Sequence, residues 1–420
     1  SSAIVPRSDT PDSSSTRVRT HARFANALPG VLQGCDSLSS SRRAEFGRLD
    51  RSNARFWVWN APQGPDFRPL RPLHGGHGFD CWIPWLDSLM RITALAGGIG
   101  GARFLSGLQH HLSSTGLQSD VTVIGNTGDD IWIHGLRVCP DLDTVMYTLG
   151  GGIDAERGWG RQDETFHAKA ELSSYGVEPT WFGLGDRDIG THLVRTASLN
   201  AGYRLSEVTA ALCERWQPGV RLIPMSDDRI ETHVLVDDPE NPGTEIAMHF
   251  QEWWIRYRAG LPARGFAMIG QENAAPAPGV LEAIAQADAI VLPPSNPIVS
   301  IGTILGVPGI RQAILAANAP VIGVSPIISG APVRGMADAC LSAMGIETTT
   351  AAVAAHYGSR SSGGILDAWL VDESDAASVP EINERGIACR AVPLFMTDVD
   401  ATATMVKEAF DLVAEIPRAG

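Results

Sequence analysis

Cysteine is scarce in this chain of 420 residues, and what there is does not cluster. The six cysteines, Cys35, Cys81, Cys139, Cys213, Cys340 and Cys389, form no C-x-x-C pair. That excludes a cysteine-rich zinc site, argues against a disulfide framework and points to a reducing, cytoplasmic setting. Long apolar runs are also missing: none reaches the roughly 18–20 residues that a spanning helix needs, so no membrane segment is expected. Positive charge is short. The formal net charge of −14 has the wrong sign for a nucleic-acid partner. The phosphate-loop pattern G-x-x-x-x-G-K-[ST] does not occur, and there is no internal repeat.

What is present is a soluble-enzyme composition, 44% hydrophobic and 19% charged, split into two unequal parts. Residues 1–90 contain eleven Arg, no Lys and eight acidic residues, a sum of +3, so residues 91–420 carry −17. The first part is Ser/Arg/Pro-rich without apolar periodicity and reads as a disordered N-terminal extension preceding a natural start at Met90. Its HGGHG tract is either a flexible loop or a metal binder. Residues 91–420 read as a single α/β domain. Apolar runs at 92–97, 121–126, 287–297 and 319–328 predict strands, each ending in a Gly, Ser or Pro loop. Helical patterns at 278–287, 308–318 and 333–345 lie between the later ones, which predicts a doubly wound, mainly parallel sheet. Residues 155–260 read as a helical insertion, with Ser206 capping a helix over 205–216.

Ligands in such sheets sit at the carboxyl ends of the strands. The loop AGGIGGAR (96–103) supplies Gly98 and Gly100 for close backbone approach to an anion. Arg103 stands where a dinucleotide fingerprint has its third glycine, and no acidic residue closes the second strand. PPSNPIVSIG (293–302) offers Ser295 and Asn296, and SPIISGAPVRG (325–335) offers Ser325 and the cation Arg334. Between them, Asp129, Asp130, Asp141 and Asp143 gather after the second strand. Unpaired carboxylates repel, and a phosphate beside them makes matters worse; Mg²⁺ resolves both. Asp130 and Asp143 are the expected metal ligands, while Asp141 is expected to cap a helix starting near Leu142. His134 is expected to pack rather than ligate. Asp188, His192 and Arg195 share a helix face, either solvated or functional, and Lys169 and Arg195 are candidate substrate cations. A body charge of −17 opposes anionic substrates, so local cations must do the attracting.

Taken in order, ALAGGIGGARFL, NTGDDIWIHGLRVCPDLDTVMYTLGG, RGWGRQDETF, FGLGDRDIGTHLVRT, PMSDDRIETHV, PPSNPIVSIGTIL and SPIISGAPVRGMAD resemble the 2-phospho-L-lactate transferases of coenzyme F-420 biosynthesis. HFQEWWIRYRAG (249–260) is most similar to the actinobacterial members, which use an enolpyruvyl donor. The resemblance implies a Rossmann-like fold, Mg²⁺, a homodimer, and transfer from a guanosine diphosphate ester of phospholactate or phosphoenolpyruvate to the ribityl hydroxyl of the deazaflavin Fo, releasing GMP. It also implies that Asp130 and Lys169 contact Fo. The loops at Ser295-Asn296 and Ser325–Arg334 would hold the guanosine diphosphate. Two positions depart from the family pattern: Ala331 replaces a lysine and Thr303 a proline. A nucleotide-dependent oxidoreductase and a non-catalytic deazaflavin- or nucleotide-binding regulator are the alternatives.

Overall fold

The computed structural model describes residues 89–416, so the expectations attached to the N-terminal segment, HGGHG included, fall on residues outside it. Order begins where the apolar pattern begins. β1 (Met90–Ala96) is buried from Ile92 onward and turns through the glycine loop into α1 (Gly98–Thr115). β2 (Ser119–Gly125) runs parallel to β1. A small hairpin follows, β3 (Ile131–Ile133) and β4 (Leu136–Val138), closed by His134 and Gly135 with φ of 49° and 76°. Positive φ at both central residues matches the twist of a two-residue hairpin.

Helices α2 (Pro140–Leu149), α3 (His167–Ser174), α4 (Asp186–Asn200) and α5 (Leu205–Trp216) come next. The predicted helical insertion then gives way to strands. β5 (Arg221–Pro224) joins the main sheet beside β2, and β6 (Glu231–Asp237), β7 (Glu245–His249) and β8 (Gly265–Ile269) form a separate antiparallel sheet. In β6 burial alternates residue by residue, the period-2 signature of a half-buried strand rather than a helix. Nor does Ser206 cap α5: its amide and hydroxyl both bond Asp227, at 2.7 and 3.0 Å.

The remainder alternates as predicted: α6 (Val280–Gln286), β9 (Ala289–Leu292), α7 (Ile301–Gly306), α8 (Ile310–Ala316), β10 (Val321–Val324), the hairpin β11 (Ile327–Ile328) and β12 (Ala331–Pro332), then α9 (Ala337–Ala343) and α10 (Thr350–Tyr357). β13 (Ala368–Val371), α11 (Val379–Glu384), β14 (Ala388–Ala391) and α12 (Val399–Ala414) complete it.

Seven strands make one parallel sheet in the order β14-β13-β10-β9-β1-β2-β5. Winding proceeds outward from β1 in one direction and then from β9 in the other, the doubly wound Rossmann-like arrangement with its switch point between β1 and β9. One apolar layer packs Leu95, Ile290 and Val321 with Ile284, Ile304 and Ile314; the other packs Ala94, Val291 and Ile322 with Phe104, Leu105 and Met405. Each such fully buried Leu or Ile contributes about 1.5–3 kcal/mol. Gly323 leaves room for Trp369, whose ring would lie 2.4 Å from any Cβ there.

Candidate active site

The site forms at the carboxyl ends of β1, β2 and β9, because the switch point parts the loops there. The glycine loop meets the β9 loop backbone to backbone. A Cβ on Gly100 would stand 2.2 Å from the Pro294 carbonyl oxygen, so this approach admits no side chain. Ser295 fastens the two loops, its hydroxyl donating to the Gly97 carbonyl at 2.8 Å and accepting from the Gly97 amide at 3.3 Å. Gly98 adopts φ +64°.

Other expected donor-binding residues also build loops. Asn296 Oδ1 accepts from the amides of Ile298 and Val299 at 2.9 and 3.2 Å. Ser325 Oγ donates to the Ile327 carbonyl at 2.8 Å and accepts from its amide at 3.2 Å. These side chains shape the strand-end loops, leaving the two arginines as exposed cations. Arg103 lies exposed on α1. Arg334 is exposed too, and its Nη2 donates to the Arg157 carbonyl, over Gly158. The Arg334 loop is thus joined to the loop that precedes α3.

All four aspartates are buried, and they divide into two kinds. Asp130 pairs with Arg137 Nη2 at 2.9 Å, and Asp143 takes both terminal nitrogens of the buried Arg195. Among the described residues, no cation faces Asp129 or Asp141. Asp141 Oδ2 accepts from Asn126 Nδ2 at 2.9 Å and lies against the glycine loop, 2.6 Å from where a Gly97 Cβ would be. It does not cap α2: Cys139 is the N-cap residue and no side chain caps that end. Burial raises the Asp141 carboxyl to about 6 against its hydrogen bond from Asn126. Asp129 is pushed well above the usual carboxylate range by burial, then by the charges of Asp141 and Asp130. Burial outweighs Arg137 at Asp130 and lifts it to about 6. Asp129 Oδ1 and Asp130 Oδ1 are buried without a hydrogen-bond partner.

Two buried like charges with an orphaned oxygen fit a divalent cation. The expected pair, Asp130 and Asp143, fits less well, because each already faces an arginine. Among the described residues no three His, Cys, Asp or Glu converge as a metal cage. A cation here would therefore complete its shell with phosphate oxygens and water, as Mg²⁺ commonly does.

Arg195, expected as a substrate cation, is instead inside the protein. Arg195 Nη1 donates to His192 Nδ1 at 3.2 Å, His192 Nε2 faces Asp188 at 3.3 Å, and Tyr147 donates to Asp188 at 2.6 Å. Because Arg only donates, His192 Nδ1 is the acceptor of that contact. Lys169, half-buried on α3, has no ion-pair partner among the described residues and extends over Gly183, 3.5 Å from a Cβ built there. It is one of only two lysines in the chain. Asp186 holds that end of α3, accepting from the His167 and Ala168 amides at 2.9 Å each.

Three contributors carried no sequence signal strong enough to single them out. Asn126 is fully buried and accepts from the Gly128 amide at 3.0 Å while donating to Asp141 and to the Val299 carbonyl. Thr232 donates its amide to the Gly128 carbonyl at 2.7 Å, and its hydroxyl lies close enough to Asp129 to favour the charged form. His249 bridges the Asp130 carbonyl and the Gln251 amide, and burial depresses its ring to about 4. Asn and Thr mark many turns, and β7 shows no distinctive periodicity.

An open parallel sheet with glycine and hydroxyl loops, free cations and a cation-ready acid pair at its switch point defines an α/β enzyme that handles phosphorylated ligands. The family described as "2-phospho-L-lactate transferase CofD" matches residues 92–398, and the chain belongs to it. This is the coenzyme F-420 transferase family anticipated from the motifs. A Streptomyces griseus relative named phosphoenolpyruvate transferase is 64% identical over 327 residues, 78% of this chain and 99% of its own. Proteins of the same name from Nocardia farcinica and Thermobifida fusca are 61% and 60% identical, each covering 77–78% of this chain and 94% and 99% of their own. Two crystal structures of a Bacillus halodurans protein, one described as a UPF0052 family member, share the fold with TM-scores of 0.51 and 0.52. Identity is 18% and 17%, over 77% and 78% of this chain and 99% of theirs.

Proposed function

We propose that this transferase moves an enolpyruvyl phosphate unit from a guanosine diphosphate donor onto the ribityl hydroxyl of Fo, with Mg²⁺ as cofactor. The enolpyruvyl donor is favoured over the lactyl one by the names of the relatives near 60% identity. The carrying observation is the uncompensated pair Asp129–Asp141 set against the glycine loop.

In this reading Asp129 and Asp141 hold the metal, which would neutralise donor phosphate charge when bound. The Fo hydroxyl oxygen attacks the phosphorus carrying the three-carbon acid. The P–O bond to the guanosine phosphate breaks, and GMP leaves with the electron pair. The hydroxyl proton passes to Asp130, whose Oδ1 is free and whose carboxyl sits at about 6, suited to proton transfer near neutrality. Asp130 also orients Fo together with Lys169. Arg334 and Arg103 offset donor charge at the rim, and the Gly98–Gly100, Ser295-Asn296 and Ser325 loops present backbone donors to the diphosphate. Positioning and charge neutralisation supply most of the catalysis in such displacements. The enzyme is expected in the cytoplasm as a homodimer; among the described residues no helix is long and apolar enough to cross a membrane.

The test is GMP release from purified protein given Fo and each donor ester, with and without Mg²⁺. Mg²⁺-dependent release with the enolpyruvyl ester supports the reading. Fo binding without release would favour a regulator, and tight NAD binding an oxidoreductase.

A further inference from the structure

The acidic turn after β2 is fastened not to its own sheet alone but to the small antiparallel one. Three contacts do this. The Thr232 amide on β6 donates to the Gly128 carbonyl at 2.7 Å. The Thr232 hydroxyl, which donates to Met268 Sδ at 3.4 Å, lies close enough to Asp129 to favour its charged form. On β7, His249 Nε2 lies 3.2 Å from the Asp130 carbonyl oxygen. A carbonyl can only accept, so Nε2 carries the proton, and Nδ1 is then free to accept from the Gln251 amide at 3.1 Å. The ring is held at both nitrogens in one tautomer. The fit is close on the other side as well: a Cβ on Gly128 would stand 2.9 Å from Thr232 Oγ1 and 2.5 Å from a Thr303 methyl.

The turn these contacts grip contains both orphaned carboxylate oxygens, on Asp129 and Asp130. Asp141, by contrast, is fixed from the opposite side by α2 and the glycine loop. Two halves of an acid pair thus come from separate elements; Asn126 ties the start of the turn to Asp141 at 2.9 Å, and the contacts to the antiparallel sheet hold its acidic end against their mutual repulsion. We infer that His249 and Thr232 are positioning residues, which hold the Asp129–Asp130 turn against Asp141 by tying its backbone to the antiparallel sheet. The inference rests on the cation-binding reading above.

The probe is Mn²⁺, titrated into the full chain and followed by the electron paramagnetic resonance signal of the free ion, which needs no turnover. His249→Phe keeps the ring volume but removes both hydrogen bonds; His249→Gln restores a donor near Nε2. Thr232→Val keeps the shape and loses the hydroxyl. Expected is Mn²⁺ affinity roughly 10-fold or more weaker in His249→Phe, several-fold weaker in Thr232→Val, and near wild type in His249→Gln, in line with losses on removing groups that orient metal ligands. GMP release should then need more Mg²⁺ to saturate, with kcat at saturation much less affected. Wild-type Mn²⁺ affinity in both His249→Phe and Thr232→Val overturns the inference, as does equal weakening by His249→Gln and His249→Phe. If His249→Phe does not fold, Thr232→Val with unchanged affinity overturns it alone. A wild-type chain that binds no Mn²⁺ and needs no Mg²⁺ sinks the cation reading itself, a distinct result.

Discussion

Asparagine substitutions separate the roles of the four clustered aspartates. Asp141 is held at about 6 rather than 3.8, chiefly by burial. A folded-state value above the unfolded one means the native protein binds the proton more tightly. Its stabilising contribution is full below pH 4 and is lost as pH rises through 6, a change of roughly 3 kcal/mol. Asparagine mimics the protonated acid. Asp141→Asn should therefore raise the melting temperature above pH 7 without metal and have little effect near pH 4. Added Mg²⁺ should stabilise the wild type but not the variant, and GMP release by the variant should fall by orders of magnitude. Melting curves at both pH values, with and without Mg²⁺, check this; a variant less stable at pH 7.5 would mean that the carboxylate is satisfied inside the protein. Asp130→Asn should keep Mn²⁺ affinity within a few-fold yet lose turnover, because its proposed work is proton transfer. Direct Mn²⁺ titration beside GMP release distinguishes this from loss of metal. The acidic cluster was readable as a cluster from its spacing after an apolar run. Which members are free was not, because Arg137 and Arg195 reach them from β4 and α4, outside any local pattern.

Helix α4 illustrates the same limit at the scale of an element. The spacing of Asp188, His192 and Arg195 put them on one face, but spacing alone does not say which face turns inward. Here the charged face does: His192 and Arg195 are 0% and 1% exposed, while Leu193 and Val194 are 53% and 55% exposed. Tertiary pairing with α2 overrode hydropathy, since Asp143 and Tyr147 project from that helix. A buried pair broken on one side leaves an uncompensated charge, so Arg195→Met should cost about 3–5 kcal/mol. Urea unfolding measures it. The double variant Arg195→Met with Asp143→Leu should recover much of that loss; no recovery would mean that Arg195 matters for its hydrogen bonds to His192 Nδ1 and the Arg137 carbonyl, at 3.2 and 3.4 Å, rather than for Asp143. The alternating strands and helices after residue 278 were legible because buried parallel strands read as continuous apolar runs. β6 and β7 were absorbed into a helical reading, because short half-buried strands sit among polar and aromatic residues that suit either structure.

Across the whole molecule, the sheet order places every anion-handling loop on one edge, while the body bearing them carries −17 over residues 91–420. Attraction for an anionic donor must then be local, and long-range repulsion must work against it. Residues before Met90 add +3 of opposite sign, and the first described strand is tied in at its start by the Met90 amide on the Gln118 carbonyl at 2.9 Å. A chain starting at Met90 should melt within a few degrees of the full chain. The charge distribution gives the more discriminating prediction. Screening falls to about 8–10 Å near physiological salt, so added KCl suppresses repulsion from distant acids more than attraction at the buried site. Raising ionic strength from about 20 to 200 mM should therefore lower the KM for the donor by a factor of about two or more, the reverse of an electrostatically steered enzyme. The change in kcat should be small, because the four aspartates and the arginines paired with Asp130 and Asp143 are excluded from solvent. The chain lacking residues 1–89 should respond to salt at least as strongly, having lost the compensating positive charge. Initial rates at fixed free Mg²⁺ across a KCl series decide it. A KM that climbs with salt would mean that exposed cations such as Arg103 and Arg334 dominate the field at the mouth of the site, and that the net charge of the body does not reach the incoming donor.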